Sequence, residues 1–289
     1  MQNRERGSAD REMRQCACER RSDGTENEHI YYGRMNMNSS EQIENRLCLD
    51  AREADSVVEH IRAILFEKKN EKRAAFSAAL SPMLDASRFL GLTSPEIKAI
   101  VKAMSEEEKE IFLRCTPHDY MEEDLIHIHI LNGMRDARRV RKEVEAFLPY
   151  MNAWSLTDSL TLPKIRDDEI LSFAREFLEH ENEYAVRLGV LWIMKRAFKP
   201  VRTDSDMWLD LALAARLHQE TRQLVDVKGW MLCEAAIKIP HAAAARLRDD
   251  TLPDAVRLRA ISKCMDSRRI VEPLRSELKE IRAIIKNAK

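Results

Sequence analysis

Glycine is scarce in this chain: 7 glycines stand in 289 residues, with 9 prolines. An average chain of that length carries about 20 glycines and about 14 prolines. Hairpin turns need those residues, so sandwiches, barrels and hairpin-rich folds are excluded. The glycines are Gly7, Gly24, Gly33, Gly91, Gly133, Gly189 and Gly229. No set of them spells GxGxxG or GxxxxGK[ST], which removes a Gly-rich phosphate cradle. What remains is 34% charged and 6% aromatic. Rich in Ala, Leu, Glu, Lys and Arg, it has the composition that helices use.

The periodicity agrees. Residues 1–50 are polar, lack a sustained period and are expected to form a disordered N-terminal extension. Residues 51–289 are expected to form a single helical-repeat domain. Val57, Ile61, Ile64 and Leu65 fall at i, i+4, i+7 and i+8. Ser94 is the expected N-cap of a helix opened by Pro95 and Glu96, and Ser105 with Glu108 spells a capping box. Asp119 is the expected cap of 'YMEEDLIHIHIL', which absorbs the strand-like 'LIHIHIL' and ends at Gly133. Further helices are 'ILSFAREFLEH', 'EYAVRLGVLWIMKRAF' stopped by Pro200, 'MWLDLALAARLHQE', 'LVDVKGWMLCEAAIKI' stopped by Pro240, 'DAVRLRAISKCMD' and 'LRSELKEIRAIIKNAK'. Roughly a dozen helices, recurring in pairs about every 35–45 residues, predict an all-α, HEAT-like or ARM-like solenoid. Its antiparallel helix pairs stack to leave a concave groove.

Charge and cysteine usage bound the function. The 48 Lys and Arg against 49 Asp and Glu give a net charge of −1, which argues against a strongly basic DNA-coating protein and leaves room for a local basic groove. No apolar run reaches the roughly 20 residues a membrane span needs, and the N-terminus has no apolar signal core. None of Cys16, Cys18, Cys48, Cys115, Cys233 and Cys264 forms a CxxC pair. A reduced, cytoplasmic, monomeric protein is expected.

Three constellations could carry chemistry. In 'NAWSLTDSL', Trp154 and Asp158 stand i, i+4 and share a helix face. A carboxylate beside an indole suits a cationic ligand; a core indole with a solvated carboxylate is the plainer reading. Arg187 interrupts the most apolar helix between Val186 and Leu188 and must reach solvent, a carboxylate or a phosphate, with Glu183 as the ordinary partner. Trp230 follows Gly229, whose bare surface would let a ligand approach; a repeat-core indole is again the plainer reading. His127 and His129 diverge by about 200° on a helix, so one metal cannot take both. His118 and Glu122 at i, i+4 are a weak metal pair. HExxH, a zinc Cys/His framework and GxSxG are absent from the sequence.

Six fragments together resemble the AlkD-like DNA alkylation repair family of HEAT-like-repeat DNA glycosylases. 'FLGLTSPEIKAIVKAM', 'FLRCTPHDYMEEDLIHIHIL', 'NAWSLTDSL', 'YAVRLGVLWIM', 'KGWMLCEAAIKIP' and 'RAISKCMDSRRI' occur in the family's order over about residues 60–272. The chain departs from the family pattern at Ala153, where Asn is usual, and at Asp226 and Lys228. The resemblance implies hydrolysis of the N-glycosidic bond of N3- or N7-alkylated purines in duplex DNA, with no metal and no cofactor. It implies that Asp158 is the catalytic carboxylate, that Trp154 and Trp230 flank the damaged nucleotide, and that Arg187 holds a DNA phosphate. The rival is a non-catalytic HEAT-like scaffold that binds DNA or a protein through its concave face. Convergence of the four residues on one surface favours the enzyme, and an indole buried in the repeat core favours the scaffold.

Overall fold

A computed structural model describes residues 39–198, 201–215 and 221–287. Among them helix is the only extended regular structure: fourteen α-helices and no strand. They are α1 (Ser39–Glu67), α2 (Glu71–Leu80), α3 (Ser94–Ala103), α4 (Glu106–Arg114), α5 (Met121–Gly133), α6 (Ala137–Phe147) and α7 (Trp154–Ser159). There follow α8 (Asp167–Phe177), α9 (Glu183–Ala197), α10 (Ser205–Ala214), α11 (Arg222–Lys238), α12 (Pro240–Arg248), α13 (Asp254–Asp266) and α14 (Leu274–Asn287). The expected extension over residues 1–50 lies outside the described residues as far as residue 38, and α1 crosses the expected boundary at residue 50.

Within the unit Leu49–Lys289, alternate helices form one continuous row: α3 packs on α5, α5 on α7, α7 on α9, α9 on α11 and α11 on α13. The intervening helices flank it, with α6 on α5, α8 and α10 on α9, α12 on α11, and α14 on α12 and α13. This nearest-neighbour pattern is that of an all-α helical-repeat solenoid. One apolar core runs through it, with Phe112, Phe147, Trp192 and Phe198 essentially excluded from water.

The helix ends follow from local chemistry. Ser105 and Glu108 form the expected capping box, each side chain bonded to the other's backbone N–H. The cap of α3 is Thr93 rather than Ser94, because Glu96 accepts from both the Thr93 N–H and its hydroxyl. The cap position of α5 is Tyr120 rather than Asp119: Glu123 takes the N–H groups of both residues, leaving Asp119 to pair with Arg62. 'LIHIHIL' is helical within α5 as expected. Pro240 ends α11 by opening α12, where its missing N–H costs nothing; Pro200 lies outside the described residues.

Two glycines set helix spacing. A methyl at Gly189 would stand 2.9 Å from the Ala174 carbonyl oxygen, so α9 can approach α8 closely only without one. At Gly229 it would stand 2.7 Å from Arg259 Cγ and 3.1 Å from the Ala260 nitrogen. Gly229 therefore serves the seam between α11 and α13 and is not an opening for a ligand. Along that seam Asp226 meets Arg259 and Trp230 meets Lys263, a register that runs the two helices parallel.

Candidate functional site

The site begins at α7, a helix of six residues that is too short to hold itself in water. Its C-terminal end is clamped by Asn132 of α5. The Asn132 amide donates to the Ser159 carbonyl at 2.8 Å, and its oxygen accepts from Thr161 N at 2.9 Å and Leu162 N at 2.8 Å. Leu162 sits at φ 47°, a left-handed conformation unusual for Leu, and this clamp holds it there. Trp192 donates its indole N–H to the Leu160 carbonyl at 3.0 Å, and Arg196 donates to the carbonyls of Thr161 and Leu162. Tertiary hydrogen bonds thus fix the helix that carries Trp154 and Asp158.

Arg187 of α9 closes the constellation. Its Nη2 meets Asp158 Oδ1 at 2.8 Å, its Nε donates to Thr157 Oγ1 at 2.9 Å, and its Nη1 donates to the Gln223 carbonyl of α11 at 3.0 Å. The Arg187 side chain is 5% exposed and that of Asp158 25%. A buried guanidinium is tolerable because a carboxylate compensates its charge and the fork's geometry is met. Its partner is Asp158, across the repeat, and not Glu183 on its own helix. Lys195 adds a bond to the Asp158 backbone carbonyl at 3.0 Å, so a second cation lies near the carboxylate-bearing residue.

The two indoles are each half-buried, and neither is enclosed in the repeat core. Trp154 donates from Nε1 to the Leu80 carbonyl at 3.3 Å, which ties it to the end of α2. Trp230 carries the Lys263 ammonium 5.9 Å from its ring centroid, within cation–π reach. The structure joins Asp158 and Arg187 through α7 and α9, and reaches Trp154 through its backbone carbonyl, which accepts from Thr157 Oγ1 at 2.7 Å. Trp230 stands on α11 seven residues after Gln223, about 10 Å farther along that helix at 1.5 Å per residue.

Several other polar residues are committed to contacts within the fold. Lys228 is fully buried and donates to the Ala215 carbonyl at 2.5 Å, and Arg257 is buried against Asp254, so neither offers a surface cation. Arg259 and Arg269 are held by Asp226 and Glu234. His118 and Glu122 do not converge: Glu122 accepts the N–H groups of Leu90, Gly91 and Leu92, while His118 faces His127 at 3.1 Å. Among the described residues no three His, Cys, Asp or Glu side chains group as metal ligands. No described helix is long and apolar enough to cross a membrane. Asn152, which precedes the departure at Ala153, keeps its buried Oδ1 without a hydrogen bond.

A family model described as DNA alkylation repair enzyme matches residues 61–263, well over half of the chain. The chain belongs to the DNA alkylation repair enzyme family. Trp154, Asp158, Arg187 and Trp230 all fall inside the matched span, as does the helix row from α3 to α11. No match is found among curated proteins. For this family member, sequence reasoning missed the supports of the site: Asn132, Thr157 and the Gln223 carbonyl. Asn132 looks like any residue near a helix end, and the other two act through contacts about 30 residues away or more.

Proposed function

We propose that this family member is a DNA glycosylase that hydrolyses the N-glycosidic bond of N3- or N7-alkylated purines in duplex DNA. The observation that carries the reading is the Asp158 carboxylate, oriented by a buried Arg187 at 2.8 Å and presented, still partly exposed, one helical turn from the Trp154 indole. An alkylated purine is already cationic. When the C1′–N bond breaks, the electron pair neutralises the base, so the leaving group needs no protonation. The positive charge passes to the sugar, where an anion stabilises the oxocarbenium. Water then adds to C1′ and gives up its proton, with Asp158 positioning it and accepting the proton.

In this scheme the indole faces of Trp154 and Trp230 supplement the carboxylate by roughly 0.5–2 kcal/mol each through attraction to the cation. Arg187 is a positioning residue for Asp158, and its remaining N–H groups serve a backbone phosphate. The chemistry calls for neither metal nor organic cofactor. The protein acts as a cytoplasmic monomer, with residues 51–289 as the working domain and the concave side of the solenoid facing the duplex. The test is base release from duplex DNA carrying 7-methylguanine or 3-methyladenine, against unmethylated DNA. Release from methylated DNA alone supports the reading. Tight binding without release leaves a scaffold.

A further inference from the structure

Along the seam between α11 and α13, one carboxylate answers two arginines. Arg259 Nε of α13 stands 2.5 Å from Asp226 Oδ1, and Arg222 Nε, one turn back on α11, stands 3.9 Å from Oδ2. One turn farther along both helices, the Lys263 ammonium lies 5.9 Å from the Trp230 ring centroid. Three cations thus face one carboxylate on this stretch, in a chain whose net charge is −1. The stretch starts at the candidate site: Gln223, next to Arg222, accepts through its carbonyl from Arg187, the residue that holds Asp158. The base of the Arg259 side chain is fixed, because its Cβ and Cγ lie against Gly229. Its outer part is not enclosed: the Arg259 side chain is 43% exposed and that of Arg222 92%. An ion pair so open to water is worth little, so its guanidinium can exchange one anion for another. A phosphate offers a guanidinium the same bidentate acceptor as a carboxylate, and a duplex adds the gain from released counterions.

We propose that Asp226 sets the affinity for DNA, as the internal counter-anion of a phosphate subsite made by Arg222, Arg259 and Lys263; this rests on the reading of α7 and α9 as a DNA site. In the free protein the carboxylate occupies the Arg259 guanidinium. On binding, a backbone phosphate takes its place, and Lys263, one turn along the same face of α13, meets a phosphate as well. Asp226 weakens this grip twice: it competes for the guanidinium, and it repels the incoming phosphate. Both effects act on the backbone and read neither sequence nor damage. They lower the affinity for every duplex alike and leave discrimination to the nucleotide that meets Asp158.

The experiment uses the full chain and an undamaged duplex, with binding read by fluorescence anisotropy over a range of salt. Asp226→Asn is expected to bind about fivefold tighter at low salt, the size of one exposed ion pair no longer competing. The control is Asp210→Asn. It removes the same charge and releases Arg246 from a like pair at 2.8 Å on the flanking helices α10 and α12, and it should bind as the wild type does. Arg259→Gln keeps the atoms packed on Gly229 and should make the slope of log K against log salt shallower by about 0.9; Lys263→Gln should do the same. Asp226→Asn added to Arg259→Gln should lose most of its gain. An Asp226→Asn protein no tighter than Asp210→Asn overturns the proposal, as does a gain that persists without Arg259. Salt slopes unmoved by both Gln variants overturn it too, as does a chain that binds no duplex. Base release is scored separately. A wild type that releases no base, yet tightens on Asp226→Asn through Arg259, loses the glycosylase reading and keeps the subsite. One that releases methylated bases, with Asp226→Asn no tighter, keeps the glycosylase reading and loses the subsite.

Discussion

Replacing Asp158 with Asn changes one charge and little else, and the structure sets what that charge is worth. At an effective dielectric of about 20, a carboxylate about 4 Å from the sugar cation contributes about 4 kcal/mol. Arg187, bonded behind it at 2.8 Å, opposes this. From roughly 7 Å its repulsion of the same cation is about 2 kcal/mol, so the wild-type pair supplies a net attraction of only about half the carboxylate's own. Asparagine removes the attraction and leaves the repulsion. The full carboxylate contribution is therefore lost, less some screening at a side chain 25% exposed. At about 1.4 kcal/mol per tenfold, release should slow by roughly 10²–10³. Folding should suffer less. The amide oxygen still accepts from Nη2, and Thr157 and the Gln223 carbonyl remain, so the cost is about 1–2 kcal/mol and not the about 3–5 of an ion pair stripped bare. The assay is single-turnover release from a 7-methylguanine duplex at saturating protein, well below the melting temperature, with melting followed in parallel. Arg187→Lys is the companion: it keeps the charge, but one ammonium cannot reach Thr157, Asp158 and Gln223 together, so release falls at unchanged net charge. A folded Asp158→Asn protein that releases base at the wild-type rate refutes the mechanism.

Asn132→Ala should cost about 2–4 kcal/mol, since it strips three hydrogen bonds from the turn after α7, and release should fall with it; calorimetry and the release assay on one preparation check both. Gly229→Ala should lower the melting temperature by several degrees: overpacking the α11–α13 seam costs about 1–3 kcal/mol, more than the roughly 0.5–1 kcal/mol gained in helix propensity. Burial holds His118 down at about 4 and His127 well below its usual range, so both stay neutral when folded and take up protons on unfolding as pH falls below about 6.5. Burial pushes Asp124 up to about 7, despite the Arg88 ion pair, and makes the opposite contribution, since the folded state holds that proton as pH falls through 7. Two histidines outweigh one carboxyl, so the melting temperature should drop from pH 6.5 to pH 4.5, more steeply in Asp124→Asn; a His118→Phe profile parallel to the wild type would contradict this. If about four cations touch phosphate, log K against log salt should slope near −3.6, and salt-indifferent binding would speak against a DNA groove.

Local rules carried much of the fold. The capping box at Ser105 and Glu108 follows from residues a turn apart, and such signals survive in one dimension. Helix caps slipped by a residue where a carboxylate had a choice of donors. Glu96 chose Thr93 and Glu123 chose Tyr120 together with Asp119, selections made by the direction of the incoming chain.

The sequence by itself determined that the chain is a helical repeat and that Trp154 and Asp158 share a face, because few turn residues and a spacing of four leave little else. Tertiary structure alone decided that Arg187 answers to Asp158 on the preceding repeat, and that α7 is held by Asn132. It also decided that Gly229 faces a helix and that Lys228 is buried. Each of these depends on which helix lies opposite. In a stacked repeat the partner of a side chain stands about 30 residues away, at a distance set by helix lengths and loop paths that no local pattern encodes.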